Sequence, residues 1–153
     1  MKRREILSNL VSALKEINTS TDTSPLAYRQ PYTYQSNVFD NVFNKYKFMD
    51  EINDFPCVCV YNVVDSITHS GSNIKYGTLS INIRGYVRSS GDVITDCEKL
   101  VDDIEYVVNS FRYRESSRNL CVVDSRVLTL ETDEGLFDPF GVINLEVQIN
   151  YER

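Results

Sequence analysis

Residues 78–111 read TLSINIRGYVRSSGDVITDCEKLVDDIEYVVNSF, and this stretch decides the fold. Apolar residues recur at every second position from Leu79 to Val87, which is typical of a strand with one buried and one wetter face. The wetter face receives Thr78, Ser80, Asn82, Arg84, Tyr86 and Arg88. After a turn, apolar residues recur at helical spacing from Val93 to Phe111, and Asp92 is suited to cap this helix. A half-buried strand that leads into an amphipathic helix predicts a sheet with a helix on one face.

Four further segments carry periodic apolar patterns. Residues 2–17 predict an amphipathic helix, and the run from Cys57 to Val64 is apolar on both faces, as in a central strand covered on both sides. Strands are also predicted at 122–132, where the alternation slips near Asp124–Val127 and indicates a bulge, and at 143–151. Loops are expected at 65–73, 112–119 and 133–139, and a short helical turn near 49–53.

The order of these elements predicts an α+β fold, a mostly antiparallel β-sheet with two amphipathic helices packed on one face. We expect one domain spanning residues 1–153, with residues 18–47 as a loop or extended arm.

Composition and charge narrow the function. The chain has 153 residues and a net charge of −6, which argues against nucleic-acid binding as its main role because phosphates are neutralised by clustered Lys and Arg. No apolar run approaches the roughly 20 residues of a membrane span, and no signal peptide follows Met1. We therefore expect a soluble protein made in a cytoplasm, without a membrane partner. The four cysteines are expected to be small buried hydrophobes in a reducing compartment: Cys57, Cys59, Cys97 and Cys121.

The sequence offers little catalytic chemistry. The single histidine, His69, lies in a polar segment, and no nucleotide-binding, serine-hydrolase or zinc-protease motif is present. One acidic group on the second helix is a candidate for binding divalent metals, although a solvated helix face accounts for it better. This group comprises Asp92, Asp96, Glu98, Asp102, Asp103 and Glu105. We expect no catalytic residues, no cofactor and no metal.

A cluster of tyrosines, Tyr28, Tyr32 and Tyr34, lies beside Arg29. Stacked aromatic side chains with a nearby cation are typical of single-stranded nucleic-acid binding. An ordered arm that packs on a neighbouring subunit explains the same residues, because Tyr and Arg are enriched at interfaces. We favour the arm.

Several segments together resemble tail terminator proteins of long-tailed bacteriophages. They are the stretch TDEGLFDPFG at 132–141 with the strand that follows, the stretch EINDFPCVCV at 51–60, and the strand at 79–88 with the acidic helix after it. The opening amphipathic helix matches as well, so the resemblance covers most of the chain, and residues 18–47 are its least familiar part.

The resemblance implies a structural virion protein that forms a ring of six subunits at the head-proximal end of the tail tube. Such a ring ends tube polymerisation and provides the surface that joins the head, and it is assembled in the host cytoplasm. Its partners would be copies of itself, the tail tube protein and a head-completion or neck connector protein. DNA would pass through the channel without specific binding, which a net negative charge favours.

A closed ring requires two different complementary patches on each subunit. We expect contacts from the loop 65–76, with Asp65, His69 and Tyr76, and from the turn 133–140. The turn residues expected at contacts are Asp133, Glu134, Leu136, Phe137, Pro139 and Phe140. For Phe137, Pro139 and Phe140, packing against a partner and capping of the subunit's own core both remain open. Arg84 and Arg88 are expected either to pair with a neighbour's acidic helix or to be ordinary exposed residues.

Three alternative functions differ in class or in partner. Another neck or head–tail connector would share the structural role. A small metal-dependent enzyme would use the acidic helix 92–105, and in it Asp102 and Asp103 would be essential. A nucleic-acid-binding module would use the tyrosine cluster and would bind single strands in a salt-sensitive way.

Overall fold

The computed structural model describes residues 2–20, 32–69, 71, 73, 75–116 and 122–153, with the side chains of 113–116 excepted. Tyr28, Arg29 and Cys121, which the sequence singled out, lie outside these residues. Among the described residues, no helix is long and apolar enough to span a membrane.

The strands form one five-stranded sheet in the order β1-β2-β3-β5-β4. They are β1 (Val42–Phe43), β2 (Cys57–His69), β3 (Lys75–Arg88), β4 (Val122–Thr132) and β5 (Phe140–Glu152). All neighbouring strands are antiparallel except β1 and β2. Two α-helices, α1 (Lys2–Lys15) and α2 (Val93–Ser116), and a short 3-10 helix (Met49–Glu51) complete the α+β fold that the sequence predicts.

Both helices pack on the same face of the sheet, as predicted. Leu79, Ile81 and Ile83 of β3 are completely buried in a core that they share with both helices and with β5. The predicted cap of α2 is also confirmed, since an oxygen of the Asp92 carboxylate accepts hydrogen bonds from the backbone N–H groups of Ile94 and Thr95 at 3.1 and 3.3 Å. These contacts fix the helical layer on one side of the sheet.

The opposite face of the sheet is covered only in part. Segment 43–56 packs on a second, smaller cluster built from Cys57, Cys59, Tyr86 and Val142. The prediction that Tyr86 lies on a wetter face is therefore wrong, because its ring is buried and its hydroxyl donates to the carbonyl of Lys47. The alternation of the strand remains correct, but a returning loop covers this end of the polar face.

The predicted loops are shorter than the sequence suggested. Residues 65–69 continue β2 and pair with β3, so the predicted loop 65–73 is mostly a long β-hairpin. Helix α2 likewise runs to Ser116, through the first part of the connection predicted at 112–119. Polar residues are compatible with an exposed hairpin and with a helix end, and their polarity alone could not distinguish these elements from loops. In β4 the register shifts at 122/124 and 127/129, on either side of the residues where a bulge was predicted.

Asp103 is the exception to the solvated acidic face of α2. Its side chain is completely buried, and its carboxylate accepts hydrogen bonds from the Tyr32 hydroxyl at 2.7 Å and from the backbone N–H groups of Gln35 and Ser36 at 3.0 and 2.8 Å. Burial raises the pKa of Asp103, and the hydrogen bonds from Tyr32, Gln35 and Ser36 oppose that rise. No local sequence pattern indicates that a segment 68 residues away covers this carboxylate. Asp103 thus fastens residues 32–36 to the helical layer.

We expect Asp103→Asn to lower the free energy of unfolding by about 2 kcal/mol, because an amide nitrogen placed before three donors leaves buried groups unsatisfied. The matched control is Asp102→Asn, since Asp102 is the exposed neighbour on the same helix. Urea denaturation of both variants measures the difference. Equal stabilities would contradict the role of Asp103 as a fastening point.

Candidate assembly surfaces

The sheet ends in two open edges on opposite sides. Among the described strands, β4 pairs only with β5, so its outer edge has no partner strand. On the other side, β1 pairs only with Val58 and Cys59, so within the described part of the chain no strand lies on the outer edge of β2 from Val60 to His69. Unpaired backbone N–H and C=O groups on a strand edge are a template for pairing with another chain.

Both edges carry exposed apolar side chains. Val64 and Ile67 on β2 are 52% and 49% exposed, and Leu128 and Leu130 on β4 are 46% and 44% exposed. Sequence reasoning missed all four, although the slipping alternation of β4 was a usable signal that its apolar residues do not all face the core. A long edge with apolar side chains favours burial against a partner.

The β2–β3 hairpin divides the residues predicted at 65–76 into two groups. Asp65 lies at its base and accepts hydrogen bonds from the Tyr151 hydroxyl at 2.8 Å and from the Arg153 guanidinium, so it is engaged within the subunit. His69 and Tyr76 lie near the tip and are exposed. A partner at this end of the sheet would therefore contact the tip residues.

The turn between β4 and β5 also separates its predicted residues. Leu136 and Phe137 are 76% and 53% exposed and project from the turn, and Glu134 beside them is exposed. Phe140 instead lies against the Phe55 ring, with ring centroids 5.6 Å apart.

The backbone of this turn is fixed to the subunit. The carbonyl of Pro139 accepts the Ser89 N–H at 2.9 Å, and an Asp133 carboxylate oxygen accepts the Gly135 N–H at 3.3 Å. The turn is thus held by the subunit's own groups while its apolar tip, Leu136 and Phe137, faces solvent.

Arg84 and Arg88 lie on the sheet face opposite the helices. Arg84 donates to the Tyr86 hydroxyl at 2.8 Å and to Asn144 Oδ1 at 3.2 Å, so its charge is held within the sheet. Arg88 is exposed, and its guanidinium lies 5.6 Å from the centroid of the Phe140 ring. Within one subunit, Arg84 lies away from the acidic helix, whereas Arg88 lines a cavity together with Asp96 and Lys99 of α2.

The tyrosine cluster packs within the subunit. Tyr32 stacks on Tyr106 of α2 with centroids 4.5 Å apart, and Tyr34 is 2% exposed. The expectation that an arm carries these two rings onto a neighbour is therefore wrong, and rings packed this way do not form an open stacking platform either.

The described residues hold no group of three or more His, Cys, Asp or Glu side chains arranged to bind a metal ion. The acidic pair proposed for a metal enzyme is divided, since Asp102 is exposed and the Asp103 carboxylate is buried against its three donors. A hydrogen bond from the Cys57 thiol lowers the pKa of Cys59 to about 7. Both thiols are nevertheless completely buried, so no substrate can reach them.

Comparison with known proteins identifies the family of this chain. Residues 2–153 match the family described as bacteriophage tail tube terminator protein. The tail tube terminator protein p142 of Escherichia phage T5 is 31% identical over 132 residues, which cover 80% of this chain and 81% of that protein. A chain of the virion of a native gene transfer agent particle aligns with 76% of this chain and 81% of its own length, with a TM-score of 0.49 and 10% identity. On the match over residues 2–153 and the identity to the T5 protein, this chain belongs to the bacteriophage tail tube terminator family.

Proposed function

We propose that this chain is a structural, non-catalytic virion protein. Six copies form a ring that caps the head-proximal end of the tail tube, stops tube polymerisation and provides the surface for head joining. The observation that carries the proposal is the pair of open edges, β4 on one side and the free part of β2 on the other. Membership of the terminator family supports the site of action.

The two edges suit a closed ring because they are different and face opposite directions. A head-to-tail contact needs two complementary patches on each subunit, and repetition of that contact closes a ring when the rotation allows it. Strand addition between β4 of one subunit and β2 of the next would satisfy both rows of backbone groups. It would also bury the apolar residues Val64, Ile67, Leu128 and Leu130.

The two faces of the sheet differ in a way that orients the ring. The helical layer adds about 10 Å of thickness to one face and fits the outside, where the circumference is larger. The inner face then presents charged side chains of both signs together with uncharged polar side chains, among them Thr78, Asn82, Asn144 and Asn150. On the described strands, Arg84, Arg88 and Arg126 of this face are matched by the acids Asp124, Glu131 and Glu146, so the lining has no excess of positive charge, which suits a channel that DNA crosses without specific binding.

The two ends of the sheet differ as well. The register places the hairpin tip at the Lys75 end of β3 and the turn 133–139 at the Arg88 end. One end of the ring would thus carry His69 and Tyr76, and the other Leu136 and Phe137. We assign these two ends to the two axial partners, the tail tube protein and the neck connector protein.

Deletion of the gene from its phage tests the function directly. Without a cap, tube growth has no stop signal, so we expect overlong or irregular tails that lack heads when tail lengths are measured by electron microscopy. A plasmid copy of the gene should restore the length distribution. Tails of normal length that fail to join heads would overturn the terminator role and indicate a connector.

The edge contact is tested by Leu128→Lys with Leu130→Lys, which place two charges on the outer edge of β4. We expect the purified variant to fold normally and to lose the ring, measured as subunits per particle by native mass spectrometry and as copies bound to isolated tails. Ile94→Lys is the matched control, since Ile94 is 50% exposed but lies on α2. Rings of unchanged size in the edge variant would contradict strand pairing at β4.

The turn is tested by Leu136→Ser with Phe137→Ser. Because the turn backbone is held by Asp133 and Ser89, we expect the ring to persist while one axial function is lost, either length control or head joining. Phage lacking the gene and supplied with this variant provide both readouts. Full restoration of both functions would remove the turn from the contact surfaces.

A further inference from the structure

A groove with mostly apolar walls lies at the Arg88 end of the sheet. It has a volume of about 640 Å³ and lies between the segment that precedes β2 and the adjoining ends of β3 and β5. Its walls include Met49, Ile52, Phe55 and Phe140, together with the exposed Asp50 and Arg88. The strand register places this end groove beside the turn 133–139, because Arg88 pairs with Phe140 at the start of β5.

The subunit itself builds the walls of the end groove. The Phe55 and Phe140 rings lie against each other with centroids 5.6 Å apart, and Met49 and Ile52 pack against the smaller cluster of the sheet. All four side chains are nevertheless only partly buried, so apolar surface faces the groove. Concave sites of about 300–1,000 Å³ with mostly apolar walls are typical of binding sites. The end groove therefore has the size and the lining of a site that a partner fills.

The exposed apolar tip of the turn lies next to the end groove. The carbonyl of Phe137 accepts the backbone N–H of Phe140 at 2.8 Å, so the tip is tied directly to one wall of the groove. Leu136 and Phe137 then extend the apolar surface of this end beyond the groove. Apolar surface that is exposed over several neighbouring residues marks an interaction site.

Acidic side chains surround the end groove. Asp50, Glu51 and Asp54 lie on the segment that forms one wall, Asp138 lies in the turn, and all four are exposed. None of them forms an ion pair with a residue that the structure describes. Four carboxylates against the single charge of Arg88 give this region an excess of negative charge. A basic partner surface would be complementary to it.

The opposite end of the sheet is more polar. The last exposed residues of β2 and the first of β3 are Thr68, His69, Lys75 and Tyr76, and each carries a polar group. In the proposed function the cap binds the tube before a head arrives, so the end that receives the head faces solvent in the interval. An apolar end left in solvent promotes aggregation. The more apolar Arg88 end therefore suits the partner that binds first.

We propose that the end groove binds the tail tube protein, through a segment on the end face of the tube that carries a large apolar side chain flanked by basic residues. The apolar side chain fills the groove beside Phe55 and Phe140, and the basic residues pair with Asp50, Glu51 and Asp54. This inference rests on the proposed function and adds to it the end of the ring that faces the tube.

Charge reversal tests the basic part of the contact, with tubes isolated from phage lacking the gene as the probe. Asp50→Lys with Asp54→Lys should weaken cosedimentation of the purified protein with these tubes about tenfold at low salt, since attraction becomes repulsion. The loss should shrink at about 0.5 M NaCl, where the charges are screened. The control is Asp102→Lys with Glu105→Lys, which makes the same change of net charge at exposed positions of α2 and should leave binding unchanged.

Removal of apolar wall tests the anchor. Met49→Ser with Ile52→Ser should weaken tube binding about tenfold at low and at high salt, because the apolar side chain of the partner loses its contacts. Circular dichroism and thermal unfolding check that each variant folds. In phage lacking the gene, a supplied copy of either groove variant should leave overlong tails.

The outcomes separate the groove from the function. If the unchanged protein binds no tubes and deletion of the gene leaves tail length normal, the proposed function itself fails. If the unchanged protein binds tubes and neither groove variant weakens binding, only the end groove is overturned. Tails of normal length that lack heads, in phage supplied with either variant, would instead assign the groove to the neck connector. Rings that pair in solution, with pairing but not tube binding lost in the charge variant, would assign it to a second copy of this chain.

Discussion

The antiparallel pairing of β3 with β5 is the constraint on which the rest of the structure depends. These two strands run beside each other from Tyr76–Glu152 to Arg88–Phe140, in register and without a bulge. One face of the pair is apolar throughout and requires cover, which α1 and α2 provide. The other strands flank this pair, β2 beside β3 and β4 beside β5, and the register shifts of the sheet occur where these flanking strands pair with it. The centre of the sheet is therefore regular. The bulges and the candidate contact sites lie in the outer strands β2 and β4 and in the turns.

The sequence predicts this regular centre well because burial and periodicity coincide there. Leu79, Ile81 and Ile83 alternate without interruption, and all three are buried as expected. Prediction failed where contacts distant in sequence decide the outcome. Asp103 looked like one more surface acid until residues 32–36 covered it, and Tyr86 looked exposed until segment 43–56 folded over it. Such covering segments carry little periodicity of their own, so local patterns do not reveal where they pack.

The candidate contact surfaces could also be predicted only in part. Phe137, Pro139 and Phe140 are conspicuous as apolar residues in a turn; Phe137 and Pro139 are exposed, whereas Phe140 packs on Phe55. Gly141, which follows that turn, serves packing within the subunit. Gly141 allows the start of β5 to pass against Cys97 and Val93 of α2, where any side chain would collide with both. Part of the motif that links this chain to its family thus serves close packing, and the exposed residues of the turn, 134 and 136–139, are the ones available to a partner.

Termination of a tube in the proposed way needs a subunit whose two axial surfaces differ from each other. The sheet provides this asymmetry, since its two edges differ in strand and its two ends differ in side chains. In the proposed ring, lateral contacts through unlike edges close the circle, and axial contacts through unlike ends give the ring a direction. The tube binds one end of this ring. The opposite end, which stays exposed, carries different side chains. Growth then stops because the next tube ring finds no matching surface, and that same difference makes room for a different partner on the head side.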